Sequence, residues 1–262
     1  MLLENKVAVI YGAGGAIGSA VARAFALEGA RPFLTGLHLA AVKAVAQEIN
    51  SAGGCAEADE VDAHDEQAVG KHLQSVIDKA GRVDISFNAI GIPNPKNRAP
   101  LVELEVEQFS LPIATYTRSY FLTARLAARQ MVPKKSGVIM TITATPSRIG
   151  TPFVGGAGPA MAAVEALTRG LSAELATQGI RVVGLRPQAM PETARIKEGF
   201  KLFGKTSGIT AEQFQEALAA RTHARRLSTL ADLTEAAVFM ASDKASGLTG
   251  TIVNLTMGGL DD

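Results

Sequence analysis

The start of the chain, where a strand-like run is followed by glycines and a helix-like segment, most constrains the fold. Residues 6–11 are a β-branched apolar run, residues 12–18 contain four glycines, and residues 16–28 place apolar side chains at helical spacing. A second strand-like run follows at 31–35, and residues 39–49 again show helical spacing. This order predicts a βαβ unit, whose two strands are parallel.

The same alternation continues to the end of the chain. Further strands are predicted at 55–61, 83–87, 138–143, 180–185 and 251–255, and further helices at 66–79, in a long segment ending near 131, at 157–177 and at 233–241. Because strands alternate with helices, we expect an α/β fold with a doubly wound, seven-stranded parallel sheet and helices on both faces. A chain of 262 residues fits a single domain, and no repeat or linker divides it.

A segment at about 190–226 interrupts this alternation and is rich in lysine and arginine. In a doubly wound sheet, a long insertion after a late strand lies over the carboxyl edge, where ligands bind. We therefore expect a helical, lid-like insertion here. The alternative is a solvated pair of helices that packs over the sheet.

Charge and composition exclude several classes of partner. The 26 basic and 25 acidic side chains leave a net charge of +1, which gives no electrostatic footprint for nucleic acid or an anionic membrane. No apolar stretch reaches the length of about 18 residues that a membrane span needs, and we find no secretory signal. The single cysteine, Cys55, cannot form an internal disulfide and has no metal-ligand spacing around it. We expect a cytoplasmic protein with a small-molecule ligand and no metal.

The glycine cluster lies where a phosphate-binding turn requires it, between a strand and a helix. Glycines let the backbone turn tightly and approach a pyrophosphate, and the free amides at the start of the following helix attract its negative charge. The cluster therefore predicts a dinucleotide-binding site. The alternative is a tight turn that binds nothing.

In these features the whole chain resembles the short-chain dehydrogenase/reductase family. The family's Thr-Gly-x-x-x-Gly-x-Gly turn falls on residues 11–18, with Tyr11 in place of threonine and Ala16 in place of the middle glycine. Residues 88–91 resemble its Asn-Asn-Ala-Gly stretch at the first and last positions. The resemblance implies a Rossmann-type fold that binds NAD or NADP. The cofactor-binding residues it implies are Gly12, Gly14, Gly15, Ile17, Gly18, Leu37, Asp62, Asn88, Gly91 and Pro187.

The end of the second strand, residues 35–38, decides between the two cofactors in this family. An acid there bonds the ribose hydroxyls of NAD, whereas an arginine meets the extra phosphate of NADP. This chain has Thr-Gly-Leu-His and so lacks both. Either cofactor is compatible with the sequence, and the absence of a repelling acid favours NADP slightly.

The same resemblance implies that the usual reaction centre is altered. The family uses a Tyr-x-x-x-Lys pair, a serine and an asparagine to hold and protonate the substrate carbonyl. The tyrosine, lysine and serine positions fall on Ala157, Met161 and Ala144, and the asparagine position falls on Tyr116. The chain has only three tyrosines and no lysine between residues 135 and 197, so no Tyr-x-x-x-Lys pair exists.

Tyr116 is the side chain expected to occupy the space of the missing phenol. An empty cavity of that size would cost about 3 to 5 kcal/mol, so we expect a repacked substrate pocket formed by Tyr116, Ala144, Ala157 and Met161. Tyr116 is either a relocated proton donor or an aromatic side chain that plugs the gap. Weaker candidates for polar chemistry are Thr143, Thr145, Ser147, Arg148 and His223.

We therefore predict a relative that keeps the NAD(P)-binding fold without the standard hydride transfer, in a binding, regulatory or partner-subunit role. The alternative is an NAD(P)H-dependent carbonyl reductase that uses Tyr116 as proton donor, or a non-redox enzyme with the same pocket.

The resemblance also implies a homo-oligomer, a dimer or tetramer, with helices 101–131 and 159–177 at the dimer contact. A hetero-oligomer with an active relative is the alternative. The apolar side chains expected on that surface are Tyr120, Phe121, Leu122 and Leu126.

Overall fold

The computed structural model describes residues 1–92 and 98–261, which form one α/β domain. The strands are β1 (Val7–Tyr11), β2 (Arg31–Gly36), β3 (Glu57–Glu60), β4 (Ile85–Asn88), β5 (Gly137–Ile142), β6 (Ile180–Pro187) and β7 (Ile252–Leu255). The helices are α1 (Ala16–Leu27), α2 (Leu39–Ser51), α3 (Glu66–Ala80), α4 (Val106–Met131), α5 (Ala157–Leu175), α6 (Ala194–Thr206), α7 (Ala211–Ala219) and α8 (Leu230–Ala241). Within the described residues, no helix has both the length and the apolar character needed to cross a membrane.

The strands lie in the order β3-β2-β1-β4-β5-β6-β7, and every neighbouring pair is parallel. The doubly wound, seven-stranded fold predicted from the sequence is therefore confirmed. The chain builds outward from β1 to β3 and then returns to add β4 on the other side of β1. In such sheets the crevice outside the carboxyl ends of the strands at this reversal is where ligands bind.

The core lies on both faces of the sheet. All residues of β1 and β5 are buried, as expected for parallel strands that helices cover on both sides. Successive β1 side chains point to opposite faces, so Ala8 and Ile10 join one apolar cluster while Val7 and Val9 join the other. Helices α1, α2 and α8 contribute to the first cluster, and α3 and the carboxyl-terminal half of α4 contribute to the second.

Two elements are shorter than the sequence pattern predicts. Helix α4 begins at Val106, because residues 101–103 form a separate 3₁₀ turn that ends before it. Strand β3 has four residues instead of the predicted 55–61, and it lies at the edge of the sheet with a single neighbour.

Helix α8 begins earlier than predicted, and its start has a clear local cause. The Thr229 hydroxyl accepts a hydrogen bond from the Asp232 amide, while the Asp232 carboxylate accepts from the Thr229 amide. This capping box satisfies two amides that a helix start would otherwise leave open. The same arrangement, formed by Thr210 and Gln213, starts α7.

Residues 190–226 contain α6 and α7, which pack against each other through aromatic rings. The Phe203 and Phe214 rings are stacked with centroids 5.5 Å apart, and Phe200 lies 5.9 Å from Phe214. Helix α6 follows β6 after a short connection, residues 188–193, that leaves the carboxyl end of the strand.

Candidate active site

The turn after β1 is so tight that only glycine fits at two of its positions. Gly12 has a φ of +74°, which other residues rarely adopt, and a Cβ there would lie 2.9 Å from the Ala89 carbonyl oxygen. A Cβ on Gly18 would lie 2.3 Å from the Gly12 carbonyl oxygen. The turn therefore lies directly against both the start of α1 and the loop after β4.

The first turn of α1 presents backbone amides that no side chain caps. Gly15 is the N-cap residue and forms no side-chain hydrogen bond to them, and the first turn carries no acidic residue. Uncapped amides and the positive end of the helix dipole attract phosphate. Gly14, Gly15 and Ile17 surround this helix start, so the residues present fit the pyrophosphate of a dinucleotide.

Leu37 and Asp62 follow β2 and β3 at the same edge of the sheet. Leu37 is exposed, and the Asp62 carboxylate accepts a hydrogen bond from the His64 amide at 2.9 Å. The His64 ring lies 3.2 Å from the same carboxylate oxygen, and its other nitrogen lies 3.0 Å from the Thr115 carbonyl oxygen on α4. These contacts fix Asp62, which the family resemblance assigns to the adenine end of the cofactor, and tie its loop to α4.

The end of β4 is shaped by Asn88, which is buried. Its side-chain amide donates to the Thr123 hydroxyl on α4 at 3.0 Å, and its oxygen accepts from the Ile90 amide at 3.0 Å. Asn88 therefore holds the loop that carries Gly91. Pro187 is buried at the end of β6, at the same edge of the sheet.

Three of the positions that the family resemblance assigns to reactive side chains are occupied by apolar residues. Ala144 follows β5, Ala157 begins α5, and Met161 lies one helical turn further along. Tyr116 and Met161 are buried in the same apolar cluster, whereas Ala144 and Ala157 are half-buried. Tyr116 from α4 and Met161 from α5 therefore belong to one apolar cluster on the same face of the sheet.

The hydroxyl of Tyr116 is a polar group at these positions. Arg195, in the first turn of α6, donates from Nη1 to that hydroxyl at 3.3 Å and to the Ile92 carbonyl oxygen at 3.2 Å. A Cβ built on Gly91 would lie 3.9 Å from the hydroxyl, so the phenol ends beside the loop after β4. A guanidinium only donates, so the Tyr116 oxygen accepts, and no acceptor among the described residues takes its proton.

A buried polar cluster lies one helical turn beyond Met161, between α5 and β6. Arg186 donates to the Glu165 carboxylate from Nε at 2.8 Å and from Nη2 at 3.1 Å. The hydroxyls of Ser147 and Thr143 donate to it at 2.6 and 3.1 Å. Burial acts to raise the pKa of Glu165, but the hydrogen bonds from Arg186 and Ser147 outweigh it and hold that pKa below its usual range. The cluster therefore commits both hydroxyls to an ionised carboxylate.

The remaining weak candidates do not converge on these positions. Thr145 lies at the site edge, where its hydroxyl donates to the Gln188 side chain at 3.4 Å. Arg148 is exposed. His223 is also exposed, with its ring 3.7 Å from the Asp261 carboxylate near the end of the chain.

Sequence reasoning missed Arg195 and Glu165. Glu165 had a usable signal, because it lies four and eight residues after Met161 and Ala157 and therefore on the same helix face. Arg195 had none, since it belongs to the insertion after β6 and meets Tyr116 across 79 residues of chain.

Four apolar side chains of α4 were expected on the surface at the dimer contact, and this prediction is wrong for three of them. Tyr120, Leu122 and Leu126 are buried within the single chain, because the sheet and α5 cover most of α4. The Tyr120 hydroxyl donates to the Ile142 carbonyl oxygen at 3.0 Å. Phe121 is exposed, and the Arg125 guanidinium lies 5.1 Å from its ring centroid.

Comparisons with known proteins agree with this geometry over nearly the whole chain. The sequence profile of a family described as "Enoyl-(Acyl carrier protein) reductase" matches residues 12–259. The 7alpha-hydroxysteroid dehydrogenase of Escherichia coli K12 is 29% identical, over 99% of this chain and 96% of that protein.

Two solved structures extend the likeness to three dimensions. Sorbitol-6-phosphate 2-dehydrogenase from Erwinia amylovora superposes with a TM-score of 0.91 at 26% identity, over 97% of this chain and 100% of that one. A 7α-hydroxysteroid dehydrogenase complexed with NADH and 7-oxo glycochenodeoxycholic acid has a TM-score of 0.85 at 30% identity, over 99% and 96% of the two chains.

The fold, the glycine turn and these matches define an oxidoreductase-type chain with an NAD-binding fold. It belongs to the short-chain dehydrogenase/reductase family.

Proposed function

We propose that this protein is an NAD(P)-dependent oxidoreductase that interconverts a carbonyl compound and its alcohol, with Tyr116 as the proton donor. The relatives described above are named as dehydrogenases, which favours this alternative over a binding, regulatory or partner-subunit role. The observation that carries the proposal is the Tyr116 hydroxyl, which lies beside Gly91 with its proton uncommitted among the described residues.

The cofactor would be held by the turn after β1 and the uncapped amides of α1. Asp62 would meet the adenine, and Gly91 would leave room beside the Tyr116 phenol. A bound reduced dinucleotide supplies the hydride. The residues at the end of β2 carry neither an acid nor an arginine, so we propose that both NADH and NADPH are accepted, with a small preference for NADPH.

In the reductive direction, this chain's own part is to hold a carbonyl oxygen against Tyr116 and to protonate it. The phenol donates its proton to the oxygen as negative charge develops there, which stabilises the transition state. Arg195 keeps the phenol oxygen oriented by donating to it.

The test compares Tyr116→Phe with Tyr120→Phe, one helical turn along the same helix. Wild-type protein is assayed with NADH and NADPH against a panel of ketones and keto acids, by the loss of reduced-nicotinamide absorbance. We expect Tyr116→Phe to lower kcat/KM at least about tenfold and Tyr120→Phe to change it little. Equal rates for wild type and Tyr116→Phe would remove Tyr116 from the mechanism.

The same assay addresses the non-catalytic role. Binding of NADH or NADPH without turnover of any panel member would return the chain to a binding or partner-subunit function. Turnover of a substrate with no change in the nicotinamide absorbance would instead identify a non-redox reaction in this pocket.

A further inference from the structure

We propose that Arg195 binds a carboxylate of the substrate, so that the preferred substrates are 2-oxo acids and the 2-hydroxy acids formed from them. This inference rests on the proposed function, because it takes Tyr116 as the group that meets the carbonyl oxygen. It names the class of substrate and the side chain that selects it.

The first support is the unused bonding capacity of the Arg195 guanidinium. Its hydrogen bonds to Tyr116 and Ile92 both leave from Nη1 and both reach neutral oxygens. Among the described residues it forms no ion pair with a carboxylate. A guanidinium has five N–H donors, and the edge formed by Nε and Nη2 matches a carboxylate in a two-bond arrangement.

The second support is the local excess of positive charge. Helix α6 carries Arg195 and three lysines, Lys197, Lys201 and Lys205, against the single acidic residue Glu198. Arg98 adds a further guanidinium, which donates to the Arg195 carbonyl oxygen at 3.5 Å. Helix α6 therefore has a net charge of +3, part of which is offset by Glu212 and Glu216 of the adjacent α7, whereas the whole chain has a net charge of only +1. This local excess favours the approach of an anionic substrate.

The third support is the spacing of the two groups. Nη1 of Arg195 lies 3.3 Å from the Tyr116 hydroxyl. In a 2-oxo acid the carbonyl and the carboxylate are joined by one carbon–carbon bond, so one molecule reaches the phenol and the guanidinium together. A carboxylate several bonds further along the substrate would be carried away from the guanidinium. The rest of the substrate would meet the apolar cluster that contains Met161 and Met190.

The reaction balances with these groups alone and the dinucleotide. In reduction, hydride adds to the carbonyl carbon, the carbon–oxygen π bond opens onto oxygen, and that oxygen takes the Tyr116 proton. The phenolate then regains a proton from solvent. Arg195 neutralises the carboxylate in substrate and product alike, so this contact contributes to binding and selection, in addition to the hydrogen bond by which Arg195 orients Tyr116.

The kinetic test uses 2-oxo-4-phenylbutanoate and its ethyl ester, which differ in charge while keeping the same carbonyl. The full chain is assayed with NADH and with NADPH, as wild type, Arg195→Gln and Lys197→Gln. Lys197→Gln is the matched control, because it removes the same charge two residues along the same helix. We expect the wild type to prefer the acid at least about tenfold, and Arg195→Gln to lower kcat/KM for the acid at least about tenfold, chiefly through KM. For the ester, Arg195→Gln should lower kcat/KM by a smaller factor, chiefly through kcat, because only the hydrogen bond to the Tyr116 hydroxyl is lost there. Lys197→Gln should change kcat/KM for either substrate less than about threefold.

A binding test separates this inference from the proposed function. Calorimetry measures binding of the acid and the ester in the presence of NAD⁺ or NADP⁺, which cannot reduce them. Arg195-dependent binding of the acid without any turnover would leave the carboxylate site standing and remove the oxidoreductase function.

The contrary results are equally distinct. Reduction of acid and ester at equal rates by both wild type and Arg195→Gln would keep the oxidoreductase function and overturn the carboxylate site. A fall in kcat that is equal for acid and ester in Arg195→Gln, with no rise in KM for the acid, would also overturn it, because Arg195 would then act on Tyr116 alone. Failure of the acid to bind the wild type would overturn it outright.

Discussion

Glu165 on α5 and Arg186 on β6 form an ion pair that is almost closed to solvent, with 2.8 Å between Arg186 Nε and Glu165 Oε1. Their side chains are 2% and 3% exposed. A carboxylate so deeply buried remains ionised only because the guanidinium and two hydroxyls donate to it. The pair joins the helix that carries Met161 to the strand that ends at Pro187.

Breaking this pair on one side should destabilise the fold far more than removing both partners. We expect Arg186→Met to lower the free energy of unfolding by about 3 to 5 kcal/mol, because it leaves the buried Glu165 carboxylate with only the half-exposed Arg169 guanidinium, 4.0 Å away, as counter-charge among the described residues. Adding Glu165→Met should recover more than half of that loss. Urea denaturation at pH 7 measures both values. An equal loss in the single and double variants would contradict this account.

The turn after β1 and the first turn of α1 should not tolerate a methyl group at Gly18. A Cβ there would overlap the Gly12 carbonyl oxygen, so we expect Gly18→Ala to cost about 1 to 3 kcal/mol and to weaken NADH binding at least tenfold. Gly70→Ala in α3 is the control, because nothing lies within 4 Å of its added Cβ. That control should gain about 0.5 to 1 kcal/mol from its helix propensity. Thermal denaturation and NADH titration decide the matter, and wild-type binding by Gly18→Ala would refute it.

Tyr11 and Tyr120 should respond differently to loss of their hydroxyls. The Tyr11 hydroxyl is buried with no hydrogen-bond partner among the described residues, and burial raises its pKa. Tyr11→Phe should therefore leave the free energy of unfolding unchanged or raise it. Tyr120→Phe should lower it by about 1 kcal/mol, because it deletes the bond to the Ile142 carbonyl. Chemical denaturation of both variants compares the effects, and a larger loss for Tyr11→Phe would reveal an overlooked partner.

A buried histidine should make the fold sensitive to mild acid. His72 in α3 is buried, and both ring nitrogens lack a hydrogen-bond partner within the part of the chain that the structure describes. Burial lowers its pKa, and the Asp59 carboxylate at 3.5 Å offsets this only in part. The unfolded chain therefore takes up this proton first, below about pH 6.5, so the free energy of unfolding falls as the pH drops through and below that value.

Replacing His72 tests the sign of this pH dependence of the free energy of unfolding. His72→Leu should flatten the decline in stability between about pH 6.5 and 5. His223→Gln should leave the decline in place, because that side chain is 76% exposed. Denaturation curves across this pH range measure both, and a wild-type slope in His72→Leu would assign the effect to other groups.

We expect a dimer formed through the α4–α5 face, as the family resemblance implies. A groove of about 490 Å³ runs along this face. Its lining residues are Phe121, Arg125, Ala128, Arg129, Val132, Pro133, Leu171, Glu174 and Leu175. Phe121→Asp places a charge in the contact and should shift the dimer to monomer, whereas Phe239→Asp on α8, an equally exposed phenylalanine, should not. Sedimentation equilibrium measures the mass, and an unchanged dimer in Phe121→Asp would exclude this face.

The fold could be predicted because its signals are local. The apolar run of β1, the glycines after it and the helical spacing of α1 all lie within residues 6–28, and each element follows from its own sequence. The starts of α7 and α8 were missed, although the capping boxes at Thr210 and Thr229 are also local and would have been found by a search for them.

The candidate site was predictable only where a motif marks it. Tyr116 was found from its alignment with a family position, but its contact with Arg195 depends on how the segment after β6 packs against α4. No local pattern encodes that contact. The prediction that Tyr120, Leu122 and Leu126 lie on the surface was wrong for a related reason. Sequence spacing shows that a helix has an apolar face, but it does not show which neighbouring elements cover the rest of the helix.

The turn after β1 and the loop after β4 nearly touch at Gly12 and Ala89, so the crevice is built by segments that are more than 70 residues apart. A ligand bound there contacts both halves of the sheet at once. The unfolded chain offers no comparable binding site. At a concentration of a hundred times its dissociation constant, such a ligand raises the free energy of unfolding by about 2.7 kcal/mol. The midpoint of heat denaturation should therefore rise with the concentration of whichever dinucleotide the crevice accepts, which makes a simple melting curve a gauge of its occupancy.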